Sequence, residues 1–168
     1  MSRSLASMLA EGRHRYLIRV YYEDTDAGGI VYHASYLRFA ERARTEALRD
    51  LGVPHAELVE QHGLIFVVRR VKVDYVRPAR IDDALVVVTQ PTTLGAASLG
   101  LRQVFQRPHV LQGAHVVQGV AQDEVLARAE VSLACVRVDG NGPARMPARW
   151  HEALAALAAA EGTTRSKE

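Results

Sequence analysis

Over residues 35–51 the apolar side chains Tyr36, Ala40, Ala43, Ala47 and Leu51 recur at steps of three and four, and Leu37, Phe39 and Leu48 widen the stripe. With about 3.6 residues per turn, that spacing gathers them along one side of an α-helix. Gly52 supplies a residue able to take the left-handed cap, and Pro54 cannot continue the helix. Because apolar residues occupy more than one face, the helix is expected to be largely enclosed. The rest of the chain must therefore supply what encloses it.

It supplies strands. Residues 14–23 alternate polar and apolar through Tyr16, Ile18, Val20 and Tyr22, which predicts a first strand ending near Asp24, with Tyr22 on its apolar face. After the helix and a short helical link come four strand patterns, 64–76, 85–93, 98–106 and 125–138. In the first of these four, Val71, Val73 and Tyr75 oppose Arg70, Lys72 and Asp74, so one face is apolar and the other meets water or a partner. Pro147 opens a final helix through Ala160, and a polar tail follows from Gly162. One strand, one long helix and then a run of strands predict an α+β packing in which an antiparallel sheet covers the helix.

At 168 residues the chain is expected to form one domain, 1–168, with a core of about 15–150. A net charge of +2, with the basic residues scattered, gives no stripe that could follow a phosphate backbone, so nucleic acid is not an expected partner. The lone Cys135 sits in an apolar run and reads as a buried, inert thiol, which fits a reducing cytoplasm. The first ten residues are interrupted by serines and do not read as a secretion signal. No run approaches the roughly 20 apolar residues that a membrane crossing requires.

The chemistry concentrates in Tyr21-Tyr22-Glu23-Asp24-Thr25-Asp26-Ala27-Gly28-Gly29-Ile30-Val31-Tyr32-His33. A calcium loop starting at Asp24 would need an oxygen ligand at its fifth position and a glutamate at its twelfth, but those are Gly28 and Ser35. An aspartyl-phosphate enzyme would show an alternating strand–helix series, which is missing here. What is left is a carboxylate carried by a glycine turn to the start of a long helix, where free amides and the helix dipole favour negative charge. Such a place suits the oxyanion that develops on a thioester carbonyl. The remaining histidines lack metal-ligand spacing, and no metal is expected.

This segment, continued by Ala34-Ser35-Tyr36-Leu37-Arg38-Phe39 and by Glu41-Arg42-Ala43-Arg44-Thr45-Glu46, resembles the signature of the YbgC branch of the 4-hydroxybenzoyl-CoA thioesterase family. Phe66-Val67-Val68-Arg69-Arg70, the stretch from Asp74 to Asp83 and Ala129-Glu130-Val131 extend the similarity over most of residues 15–150. The resemblance implies a hotdog fold, an antiparallel sheet wrapped around the central helix, with subunits paired edge to edge and sites at their interface. It implies Asp26 as catalytic nucleophile or general base, and the His33 amide as the group that polarises the thioester carbonyl. Supporting roles fall to the side chains of His33 and Tyr22, and substrate contacts to Gly29, Val31 and Tyr32.

The implied substrate is a small or medium acyl-CoA, with acyl carrier protein as the other candidate thiol carrier and no cofactor beyond the substrate. A homo-oligomer is implied, a dimer or a tetramer built from dimers. A non-catalytic acyl-thioester binding or scaffolding protein and a hydratase are the competing functions on the same fold. Asp24 reads as a turn acceptor and not as a second catalytic carboxylate. Arg69, Arg70, Arg77, Arg80 and Arg102 are candidates for coenzyme A phosphates, each more simply a solvated surface residue. The connection beginning Arg107-Pro108-His109 is longer than the hairpin usual in this branch.

Overall fold

The computed structural model describes residues 7–10, 12–109 and 123–159. In chain order the elements are β1 (Ser7–Ala10), β2 (Arg13–Arg19), α1 (Ser35–Asp50), α2 (His55–His62), β3 (Leu64–Tyr75), β4 (Ala84–Leu94), β5 (Ser98–Arg107), β6 (Glu124–Arg137) and α3 (Ala148–Ala159). The strands form one antiparallel sheet in the order β1-β2-β4-β5-β6-β3. β1 is an addition to the expected order; it pairs with β2 from Ser7 opposite Tyr16 to Ala10 opposite Arg13.

α1 lies against this sheet. It buries Tyr36, Phe39, Ala40, Ala43, Ala47 and Leu48, and leaves Leu37, Arg38, Glu41 and Arg42 exposed. The helix is thus covered along one face, less enclosed than its apolar width implied: Leu37, counted in the widened stripe, is exposed together with Arg38, Glu41 and Arg42, whose charges favour hydration. Its end follows the expected chemistry. Gly52 takes φ +74°, the Gly52 amide donates to Arg49 O at 3.0 Å, and the Val53 amide donates to Leu48 O at 2.9 Å. Those two bonds satisfy carbonyls that the last turn would otherwise leave open.

The core joins α1 to the inward side chains of the sheet. Tyr36 meets Phe105 edge-on with centroids 5.2 Å apart, and Phe39, Leu85, Val87, Phe105 and Leu126 are fully buried around them. α3 closes the far end with Trp150 and Leu154, its first turn anchored on the carbonyl of Pro147. Cys135 is buried on β6, and burial pushes its thiol above the ordinary range.

Two expectations need correction. The first strand stops at Arg19, not near Asp24, because Val20 exchanges bonds with the loop before β4: its amide donates to Asp83 O at 2.9 Å and its carbonyl accepts from the Asp82 amide at 3.0 Å. β3 does not bury one face along its second half. Val71 and Tyr75 are exposed although they alternate with charged residues, because β3 is an edge strand. The expected polar tail from 162 and most of the long connection, 110–122, lie outside the described residues.

Candidate active site

The segment between β2 and α1 is built as two nested turns. The first is a single 3-10 turn, Tyr22–Asp24. Asp24, only 3% exposed, folds back so that Oδ2 accepts the Tyr21 amide at 2.9 Å, while Arg38 of α1 stands 3.6 Å from its Oδ1. The Asp24 carbonyl accepts the Tyr32 amide at 2.9 Å and the Ser35 hydroxyl at 3.1 Å. Asp24 is therefore committed through both its carboxylate and its main chain, and it ties the whole segment to the first turn of α1.

The second turn presents Asp26. Thr25 pairs with Val31 as an antiparallel bridge, the Asp26 amide donates to Ile30 O at 2.9 Å, and the Gly29 amide returns to Asp26 O at 3.0 Å. Closing so small a loop needs Gly29 at φ +75°, a conformation costly for residues that carry a Cβ. The Gly28 amide donates to Asp26 Oδ1 at 2.8 Å, which orients the carboxylate and leaves Oδ2 without a hydrogen-bond partner among the described residues. The side chain is exposed. Two aspartates two residues apart thus have opposite fates, one locked in and one held out.

The turn is pinned from below. The Val31 amide donates to Ala79 O at 2.8 Å and Ile30 bridges Arg80, so the loop after β3 supports the loop before α1. Val31 is buried and serves that anchoring, whereas Gly29 and Tyr32 are exposed. His33 is exposed as well; its ring lies 4.4 Å from that of Tyr32, and its carbonyl accepts the Tyr75 hydroxyl at 2.8 Å. Among the described residues the amides of His33 and Ala34 have no acceptor, while Ser35 and Leu37 donate to Tyr32 O and Ala34 O. The start of α1 therefore carries open amides beside an exposed carboxylate turn, at the positive end of the helix dipole.

Tyr22 departs from expectation. It is not on the apolar face of a strand but in the 3-10 turn, 82% exposed, with its carbonyl accepting the Thr25 hydroxyl at 2.8 Å. Its ring packs into no core, so packing does not explain it. Of the arginines considered for phosphates, Arg77 pairs with Glu124 at 2.8 Å, and Arg69, Arg70, Arg80 and Arg102 are exposed.

Three contributors have no counterpart in the sequence patterns. Tyr75 reaches from β3 to hold the His33 carbonyl, and Arg38 guards Asp24. Arg107 joins Asp83, at 2.6 Å, to Glu124 and so fastens the loop on which Val20 and Val31 rest. Burial raises the Tyr36 phenol beneath this loop, against the lowering effect of a backbone hydrogen bond with Ala79, which keeps it neutral at ordinary pH. The position of Tyr75 and Arg38 within quoted signature segments was the one available signal.

A sizeable cavity among the described residues is elsewhere. About 520 Å3 in volume, it lies between the second half of α1, α2, α3 and the inner face of the sheet, and no residue of 21–34 lines it.

Known proteins resolve the family. The model of the thioesterase-like superfamily matches residues 20–157. The chain is 40% identical over 130 residues to the acyl-CoA thioesterase YbgC of Haemophilus influenzae, covering 77% of this chain and 85% of that one. It is 43% identical over 122 residues to the acyl-CoA thioester hydrolase YbgC of Escherichia coli O6:H1, covering 73% and 81%. The crystal structure of a "probable thioesterase" from Bartonella henselae superposes with a TM-score of 0.69 at 34% identity, over 80% of this chain and 99% of that one. With its sheet packed on one long helix and its Asp26 turn at the helix start, the chain belongs to the thioesterase-like superfamily and, within it, to the YbgC acyl-CoA thioesterases of the hotdog fold.

Proposed function

We propose that this chain hydrolyses small or medium acyl-CoA thioesters to the free acid and coenzyme A, with Asp26 as the reacting carboxylate. The observation that carries this reading is the pairing of an exposed, turn-oriented Asp26 with the open amides of His33 and Ala34 at the start of α1. A thioester carbonyl bound between them would meet a carboxylate on carbon and an N–H donor on oxygen. In one route Asp26 takes a proton from water, whose oxygen adds to the carbonyl carbon. In the other Asp26 adds directly, and water then cleaves the mixed anhydride. In both, negative charge moves onto the carbonyl oxygen and is accepted by the His33 amide, after which the C–S bond breaks and the thiolate leaves. Donors held at the charge that forms contribute about 2.7–4 kcal/mol each in other hydrolases.

Neither route calls for a group beyond substrate and water, since a thiolate leaves readily. Tyr22 and the His33 ring, exposed around the turn, are assigned supporting roles in catalysis, and Gly29, Val31 and Tyr32 substrate contacts, Val31 through its main chain since its side chain is buried. Acyl carrier protein is the second candidate for the thiol carrier, and the reducing cytoplasm is the proposed location, on the strength of the lone buried Cys135. We also assign a homo-oligomer, a dimer or a tetramer of dimers, with a second copy along β3. That strand is an edge with Val68, Val71 and Tyr75 exposed, a surface that globular proteins seldom leave uncovered.

The test is Asp26→Asn, assayed by thiol release over a panel of aliphatic and aryl-CoA esters. A loss of kcat of at least about a hundredfold in a variant that melts like the parent is expected for a lost reacting group. Unchanged turnover would overturn the assignment. Single-turnover reaction in 18O-water identifies direct attack when water opens the anhydride at the Asp26 carbon: label then enters the Asp26 side chain, which the general-base route never labels, whereas water adding at the acyl carbon labels only the acid in either route.

A further inference from the structure

The cavity of about 520 Å3 has a size typical of small-molecule pockets and a graded lining. Apolar side chains dominate it: Leu48 and Leu51 from the last turns of α1, Phe66, Leu101 and Leu133 from the sheet, and Leu157 from α3. Its polar members on the helix, Glu41, Arg44 and Thr45, precede them along α1. The cavity is thus apolar over most of its wall, with two charged groups, Glu41 and Arg44, contributed by the same stretch of α1.

Arg44 is the unusual element. It is half-buried, and its Nη1 donates to the side-chain oxygen of the fully buried Gln103 at 2.9 Å. Gln103 is itself fixed, its Nε2 donating to Ala40 O at 2.9 Å and to the Thr89 hydroxyl at 3.0 Å. Among the described residues no carboxylate is within ion-pair distance of Arg44. Glu41 is held instead by the Thr45 hydroxyl at 2.7 Å. Burial lowers the Arg44 guanidinium from its ordinary value, with Glu41 only partly opposing this. A guanidinium drawn out of water and answered by one neutral amide lacks the anionic partner that such groups ordinarily take.

An apolar cavity bordered by an anion-deficient cation is complementary to a molecule with an anionic head and an apolar tail. We infer that it binds a free monocarboxylic acid with a linear alkyl chain, the carboxylate on Arg44 and the chain among Leu48, Leu51, Phe66, Leu101, Leu133 and Leu157. The guanidinium fork suits a carboxylate, and Gln103 holds it from behind. The site is separate from the Asp26 turn. The acid released by hydrolysis is a molecule of this class; that link rests on the thioesterase reading, whereas the binding itself does not.

Isothermal titration calorimetry of the full chain with octanoate and with 1-octanol tests the inference, since the two differ in the charged head. Octanoate should bind roughly tenfold more tightly, the factor a charge-assisted hydrogen bond supplies. Arg44→Met should erase that preference while octanol binding persists, Arg44→Lys should keep part of it, and Leu101→Trp should exclude both ligands by filling the cavity. Asp26→Asn should bind octanoate like the parent, so failure of the catalytic assignment and failure of this one are told apart. Equal binding of acid and alcohol, an undiminished preference in Arg44→Met, or no binding of octanoate because a second copy covers the cavity would each overturn it. If Arg44→Met does not fold, Arg44→Lys and Leu101→Trp decide: octanoate binding unchanged in both also overturns it.

Discussion

The hydroxyl of Tyr75, near the end of β3, donates to the main-chain carbonyl of His33 at 2.8 Å, joining residues 42 positions apart. The amide of His33 is the proposed donor to the thioester oxygen, so Tyr75 steadies the peptide that follows that amide. Tyr75→Phe keeps the ring contacts with His33 and Tyr36 and removes only this bond. The net cost to stability is expected to be about 1 kcal/mol or less for so exposed a bond. The expected kinetic signature is a several-fold fall in kcat with KM little changed, read from steady-state hydrolysis beside a thermal melt.

Asp24 and Asp26 should separate stability from activity. Asp24→Ala strands the Tyr21 amide and leaves Arg38 without its carboxylate, a loss of about 1–3 kcal/mol by the usual cost of orphaning a buried partner. Asp26→Ala removes an exposed side chain with one local bond and is expected to cost about 0.5 kcal/mol or less. Urea titration of both variants alongside turnover checks this: the first should unfold early, and the second should unfold normally and fail to turn over.

The glycines of the turn offer a finer cut. A Cβ at Gly28 would lie 3.1 Å from Asp26 Oδ1, so Gly28→Ala presses on the carboxylate itself. At Gly29 nothing lies within 4 Å, but φ is +75°, so Gly29→Ala meets backbone strain of about 1–2 kcal/mol without a clash. The first should impair kcat at nearly full stability, and the second should lower the melting temperature measurably. Equal effects of the two on kcat and on melting would contradict this description of the turn.

The helices and the four long strands were legible because their periods of 3.6 and 2 are set by which side chains must leave water, and each of those elements, β3 over its first half, turns side chains toward the core. The locked position of Asp24 was legible from the habit of aspartate to accept turn hydrogen bonds, and the choice of Asp26 came from the family resemblance. Tyr22 was misplaced because alternation through Tyr16, Ile18 and Val20 continues into it, while the strand is broken by bonds from Val20 to residues 82 and 83, which no local pattern reveals. β3 misled for another reason: Val71, Val73 and Tyr75 alternate as if buried, yet only Val73 packs against the core, while Val71 and Tyr75 stay exposed. The bond from Tyr75 to His33 and the Arg44–Gln103 contact depend on chain reversals and have no signature in spacing.

The exposed alternation on β3 yields its own prediction. If a second copy lies along this edge, Val71→Asp places unpaired charge where strands and side chains meet, and light scattering should show a smaller species than the parent. Should the Asp26 site require the neighbouring copy, hydrolysis should fall in parallel with the change in mass. A parent that is monomeric by light scattering would contradict the assigned oligomer.

His55 gives the chain a pH dependence with a defined sign. It sits at the start of α2 beside Phe66, ring centroids 6.0 Å apart, on the wall of the large cavity. Burial, the largest influence, holds its imidazole below the ordinary value of 6.5; Glu41 opposes this, and Arg44 and Arg49 add to it. In the unfolded chain the same side chain takes up a proton at that ordinary value. Over the interval between the folded and the unfolded pKa, the unfolded state therefore binds more protons, and stability rises with pH. The stabilisation is complete above about pH 6.5 and declines as pH falls from there toward the folded value. His55→Gln, neutral at every pH, should flatten this part of the curve. Urea midpoints measured from pH 8 to pH 5 check it: the parent should lose stability progressively below pH 6.5, and the variant should lose less over the same interval. Parallel curves for the two proteins would show that His55 does not contribute.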